Sequence, residues 1–153
     1  MNKKVNLIIG SGVLGAYLSV DLIKKKERVI VTTRSLRKKI HNYNYLKIQK
    51  KVKFEKLDIK NKNSIKKIIY KYKPEKIFYF AGQSSITKSL KSQKETFQSH
   101  YNGTKNFLDV LKEKNLKIKF FKANSGYIFT PNKGQIDLNC KFSSNKNPYV
   151  KAQ

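Results

Sequence analysis

Six residues near the amino terminus, Gly10-Ser11-Gly12-Val13-Leu14-Gly15, have the spacing G-x-G-x-x-G. Such a turn does specific work when it joins a strand to a helix. Gly10 permits a tight reversal, Gly12 lets the backbone approach a pyrophosphate, and Gly15 lets the helix pack closely on the strand. Unpaired N–H groups at the helix start then face the phosphates. Further on, Thr32-Thr33-Arg34-Ser35 ends a β-branched run without a carboxylate. An acidic residue there would bind a ribose 2′-hydroxyl. A guanidinium beside the hydroxyl of Ser35 suits a 2′-phosphate instead, so NADP is expected rather than NAD. Asp58 is placed either to bond an adenine amino group or simply to close a turn.

These groups need a scaffold, and the hydropathy pattern supplies one. Val5–Ile9 is a continuous apolar run ending at Gly10, as in a strand buried on both faces. Val13, Leu14, Tyr17, Leu18 and Leu22 follow at helical spacing, closed by Lys24, Lys25 and Lys26. Strands are expected at Arg28–Thr33, 52–57, 76–80 and 117–123, and helices at 64–72 and 96–114. Pro74 stops the first of these helices. Five rounds of alternation predict an α/β fold, a Rossmann-type doubly wound parallel sheet. Residues 133–146 read as loop, and Asn147-Pro148-Tyr149 opens another helix at the end of the sequence. One nucleotide-binding domain is therefore expected over 1–153, cut before any substrate-binding domain.

Composition narrows the function. The 153 residues carry 35 Lys plus Arg against 9 Asp plus Glu, a formal charge of +26. Only Arg28, Arg34 and Arg37 are arginines, whereas readers of nucleic acid favour Arg. The excess of Lys with Asn, Ile, Tyr and Phe points to compositional drift on solvated faces, with polyanion binding as the lesser alternative. One cysteine, Cys140, excludes a disulfide framework, and two histidines, His41 and His100, make no metal centre. Residues 5–20 are too short and too interrupted by polar residues for a membrane span, so a cytoplasmic address and no membrane partner are expected. His100 reads as a packing or interface histidine.

The stretch Ala81-Gly82-Gln83-Ser84-Ser85-Ile86-Thr87-Lys88-Ser89-Leu90 resembles the Ala-Ala-Gln-Ser-His-Val-x-x-Ser-Phe segment of GDP-mannose 4,6-dehydratases, which are extended short-chain dehydrogenase/reductases. The likeness continues through Gly103-Thr104, Asn106-Phe107-Leu108, residues 120–129 and Asn147-Pro148-Tyr149. It implies an NADP-dependent lyase acting on a nucleotide sugar, GDP-mannose by this resemblance. The sugar is oxidised at C4, loses water across C5–C6, and receives hydride at C6. By position, Tyr149 takes the role of the Tyr base and Ser125 that of its Ser/Thr partner. Gly10, Gly12, Leu14, Gly15, Arg34, Ser35, Asp58, Ala81, Gly82 and Gln83 take the cofactor, and Ser84 and Ser85 the sugar. Relatives assemble through long helices, so a homo-oligomer is implied as well.

Three positions depart from that family. Ile9 stands where a first glycine is usual, Tyr127 stands at the family's Glu, and Gln153 at its Lys four residues after the Tyr. A free phenol, with a pKa of about 10, is ionised roughly once in a thousand at pH 7. Supplying that deficit takes roughly 4 kcal/mol, which a cation provides and a neutral amide does not. Lys151 lies two residues along, on the other side of the helix. Full dehydratase activity is therefore not expected. The remaining readings are a non-catalytic NADP-binding module and another NAD(P)-dependent sugar-nucleotide epimerase.

Overall fold

The computed structural model describes residues 4–36, 40–144 and 147–153. Arg37 and residues 145–146 of the expected loop lie outside them. Strands β1 (Val5–Ile9), β2 (Arg28–Thr33), β3 (Lys53–Lys56), β4 (Lys76–Tyr79) and β5 (Lys119–Lys122) form one parallel sheet in the order β3-β2-β1-β4-β5. The strand order reverses direction beside β1, which opens a crevice at the carboxyl ends of β1 and β4.

Both faces of the sheet are covered, which is why β1 has no polar alternation. Leu7, Ile9, Ile30, Ile77 and Tyr79 pack with Ile65, Ile69, Phe107 and Val110 from α3 (Lys62–Tyr72) and α6 (Gly103–Glu113). Ile8, Val29 and Val31 pack on the other face with Ala16, Leu22 and Tyr43 from α1 (Val13–Lys24) and α2 (His41–Tyr45). Each such fully buried aliphatic side chain contributes about 1.5–3 kcal/mol. Asn6 is the polar exception within β1. It is fully buried and its amide donates to Glu27 at 2.6 Å.

Local chemistry sets the element ends. Asn61 caps α3 by accepting the Ser64 N–H at 3.1 Å, so that helix starts two residues before the expected 64. Lys73, with φ of 43°, turns the chain out ahead of Pro74. Across the helix layer Lys62 meets Asp109 at 2.6 Å and Lys66 meets Glu113 at 2.8 Å. Much of the positive charge thus lies on exposed helix faces.

The expected helix at 96–114 is three pieces: α5 (Gln93–Phe97), a π-helical turn (Gln98–Asn102) and α6. The wide turn lets the Tyr79 hydroxyl reach the Ser99 carbonyl at 2.6 Å. Gly103 is needed beside it, because a Cβ there would stand 2.2 Å from that hydroxyl. Two short helices were not expected, α2 and α4 (Ile86–Lys91). The segment after β5 runs through a 3-10 turn (Gly126–Ile128) and carries antiparallel bridges Phe129 to Phe142 and Asn132 to Gln135. The chain then enters α7 (Pro148–Ala152).

Candidate functional site

The crevice at the strand ends is a cleft of about 640 Å³. The glycine turn forms its floor. Gly10 has φ of +108°, and a Cβ on it would lie 3.0 Å from the Ala81 amide nitrogen, so both shape and space require glycine. At Gly15 a Cβ would stand 2.5 Å from the Gly10 carbonyl oxygen, so α1 can approach the turn only without one. Gly12 is different: a Cβ there meets nothing within 4 Å. It begins α1 without a side-chain cap, leaving the first helical N–H groups directed at the open cleft.

The strand ends bring other residues to the same cleft. Arg34 follows β2, Asp58 follows β3, and Ala81, Gly82, Gln83, Ser84 and Ser85 follow β4. Thus Gly10, Gly12, Arg34, Asp58 and the 81–85 segment all line one cavity. Leu14 and Gly15 do not: Leu14 is exposed on α1, and Gly15 is buried beneath the turn. Ser35 is also off the lining, its N–H directed back to the Thr33 hydroxyl at 3.4 Å. Asp58 combines both expected roles in position, since it faces the cleft while accepting the Lys60 N–H at 3.0 Å.

Arg34 has a partner that the sequence did not suggest. Its guanidinium meets Glu95 of α5 at 3.2 Å, and both side chains are largely exposed. An exposed pair of this kind contributes at most about 1 kcal/mol, so an incoming phosphate can displace it. Lys60 and Lys88 also line the cleft. Three cations, Arg34, Lys60 and Lys88, therefore face it against Asp58 and Glu95. That balance suits a polyphosphate. The two carboxylates' neighbours lie far apart in sequence, and only the shared carboxyl edge of the sheet unites them.

The 81–85 segment is braced from behind. Gln83 accepts the Ser85 N–H through its side chain, while its buried Nε2 has no partner. Ser85 caps α4 by accepting the Lys88 N–H at 3.2 Å. His100, buried in the π-helical turn, bonds the Gln83 carbonyl through Nε2 at 2.8 Å. That bond makes Nε2 the protonated nitrogen. Burial, aided by the charge of Lys122, lowers the His100 pKa, so the ring is neutral near pH 7. Gly82 is open to no other residue, since a Cβ would stand 2.2 Å from the His100 ring.

His100 also links this segment to Tyr149. Their rings meet edge to face with centroids 5.6 Å apart. Tyr149 is held at the start of α7, where its N–H donates to the Asn147 side chain at 2.8 Å. Ser125 caps the 3-10 turn by accepting the Tyr127 N–H at 3.3 Å, and that turn packs against α7. Ser125, Tyr127, Tyr149 and Gln153 are not on the cleft lining. Tyr127 is 65% exposed, whereas the Gln153 side-chain oxygen is buried without a partner.

The GDP-mannose 4,6 dehydratase family model matches residues 7–151. The chain belongs to this family. Its relatives include CDP-paratose 2-epimerase of Salmonella typhi, 27% identical over 121 residues, which cover 78% of this chain and 36% of that protein. UDP-glucose 4-epimerase of Mycoplasma genitalium is 23% identical over 128 residues, 82% of this chain and 37% of that protein. Among solved structures, UDP-glucose 4-epimerase of Bifidobacterium longum in complex with NAD+ and UDP superposes with a TM-score of 0.83 at 20% identity, covering 97% of this chain and 45% of that one. The Campylobacter jejuni UDP-Glc/GlcNAc 4-epimerase gives 0.84 at 16% identity, with 97% and 45% covered. The family is one of nucleotide-sugar epimerases and dehydratases, and the Rossmann-type fold is shared. The chain spans just over a third of these curated relatives and less than half of these structures. Among the described residues no helix is long and apolar enough to cross a membrane, and no cluster of His, Cys, Asp and Glu could hold a metal ion.

Proposed function

We propose that this chain is the NADP-binding part of a nucleotide-sugar enzyme of the GDP-mannose 4,6-dehydratase type, with its elimination chemistry impaired. The observation that carries the reading is the single cleft that unites Gly10, Gly12, Arg34, Asp58 and the 81–85 segment at the carboxyl edge of the sheet. A dinucleotide fits the residues present: Gly12 leaves open space over the helix start, and three cations surround it. When bound, the nicotinamide supplies a reversible hydride acceptor. Gly12 and the first amides of α1 hold the pyrophosphate, Arg34 the 2′-phosphate and Asp58 the adenine. Tyr149 takes the proton of the sugar hydroxyl, and Ser125 orients that hydroxyl. Ser84 and Ser85 face the sugar. GDP-mannose is the proposed substrate and a homo-oligomer the proposed assembly, both on the strength of the family resemblance.

Tyr127 favours a second reading, a nucleotide-sugar 4-epimerase. Oxidation and reduction at C4 require the hydroxyl base but no carboxylate at the Tyr127 position, whereas dehydration requires an acid–base at C5. The relatives named as epimerases fit the same reading. Incubation with NADP and either GDP-mannose or UDP-glucose separates the two. The dehydratase-type reading expects reduced nicotinamide with GDP-mannose and only traces of 4-keto-6-deoxy sugar. Interconversion of UDP-glucose and UDP-galactose would establish the epimerase instead. Absence of both, together with no dinucleotide binding, would overturn the reading.

A further inference from the structure

Gln153 leaves the Tyr base without the cation expected four residues along, yet the fold brings a different cation to the same helix. Lys122 ends β5, and its register partner in β4 is Tyr79. Neighbours in register share a face, so Lys122 projects on the side where Tyr79 reaches the π-helical turn at Ser99. Its ammonium bonds the Asn124 side-chain oxygen at 2.5 Å and also meets the backbone carbonyl of Gln153 at the end of α7. It is a half-buried cation with no carboxylate partner among the described residues, and burial lowers its pKa. An ammonium withdrawn from water without a counter-ion costs free energy, which marks it for a use beyond packing.

We propose that Lys122 is the positioning cation of Tyr149, reaching from β5 to the helix end where Gln153 offers no charge. This rests on the reading of Tyr149 as the base. Other charges near α7 are poorly suited. Lys88 and Lys91 on α4 and Lys94 on α5 are exposed, where water and salt screen them. Glu95 is paired with Arg34, Tyr127 is exposed, and Lys151 points outward from α7 itself. His100 touches the Tyr149 ring but is kept neutral by burial and by Lys122. Of the two basic groups on this side of α7, Lys122 carries the charge and His100 transmits the contact.

The test follows the phenol of Tyr149 directly in the whole chain, without cofactor or substrate. Ultraviolet difference absorbance is titrated with pH, and the Tyr149 signal is the one lost in Tyr149→Phe. Lys122→Gln keeps a polar group for Asn124 but removes the charge. The Tyr149 signal is expected to titrate about one pH unit higher in Lys122→Gln than in wild type, a tenfold change in its ionisation constant. Lys122→Arg should leave it in place. Adding Gln153→Lys to Lys122→Gln should bring it back, a rescue that a purely structural role of Lys122 would not give. Coincident titrations in wild type and Lys122→Gln would overturn the proposal, as would failure of the Gln153→Lys rescue. NADP binding, measured on the same variants, reports separately on the cofactor reading.

Discussion

The glycine turn separates folding from ligand binding at two positions three residues apart. Gly12 begins α1 with φ of −75° and ψ of −171°, ordinary extended backbone for any residue, and its Cβ position is empty. Serine is as good a residue as glycine at a helix start, or better, so Gly12→Ser should leave stability within about 0.5 kcal/mol of wild type. Its side chain would nevertheless fill the space through which a pyrophosphate approaches the backbone. Gly15→Ala is the converse, because its Cβ lies 2.5 Å from a backbone oxygen that cannot swing away. Overpacking there should cost about 2–3 kcal/mol, lowering the melting temperature by roughly 4–12 °C at this chain length. Thermal denaturation followed by circular dichroism, with and without NADP, reads both effects. Ligand at a hundred times its dissociation constant stabilises by about 2.7 kcal/mol, and a tenfold loss of affinity reduces that to about 1.4 kcal/mol. Gly12→Ser should therefore melt like wild type alone but retain about half of the NADP stabilisation. If it keeps the full stabilisation, the pyrophosphate does not cross this turn and the reasoning fails.

Other outcomes follow from single contacts. Arg34→Ala, which breaks only an exposed pair with Glu95, should change stability by less than about 1 kcal/mol and weaken NADP at least tenfold while sparing NAD, as thermal shifts with each would report. Gly82→Ala should displace the His100 ring and cost about 1–3 kcal/mol in denaturant titration, and the double change with His100→Ala should recover most of it. Hydrogen bonds from Lys105 and Lys62 hold the Asp109 carboxyl at about 2, below its ordinary value of 3.8. A carboxyl depressed in the folded state stabilises above its unfolded pKa and loses that contribution as pH falls through the folded one. Stability should therefore fall between about pH 4 and pH 2, and less steeply in Asp109→Asn, measured by melting temperature against pH.

What the sequence made legible follows from how strongly each element is written. β1 and β2 are uninterrupted apolar or β-branched runs because the sheet is covered on both faces, and their bounds were read to the residue. The helix containing His100 was read as continuous because apolar residues recur across it, and nothing in that periodicity announces a π-helical turn. The extra residue became visible only through the Tyr79 hydroxyl and the close fit of Gly103. α2 and α4 are too short to establish a helical period. Around the cleft, Gly10, Gly12 and Arg34 were evident from spacing. Glu95 was not, since its approach to Arg34 depends on α5 folding back over the strand ends. Lys122 was hidden for another reason: in so Lys-rich a chain, one more lysine in Lys-Phe-Phe-Lys carries no signal, and only the sheet register turns it inward.

The central claim, that this chain holds a dinucleotide over the glycine turn, is tested most directly by titrating NADP into isotopically labelled protein and following the backbone amide resonances. The account predicts shifts at Gly10, Gly12, Arg34, Asp58 and Gly82 together, saturating with one affinity and tighter for NADP than for NAD. Amides that stay still at saturating dinucleotide, or shifts confined to the Lys-rich outer faces of α3 and α6, would contradict it.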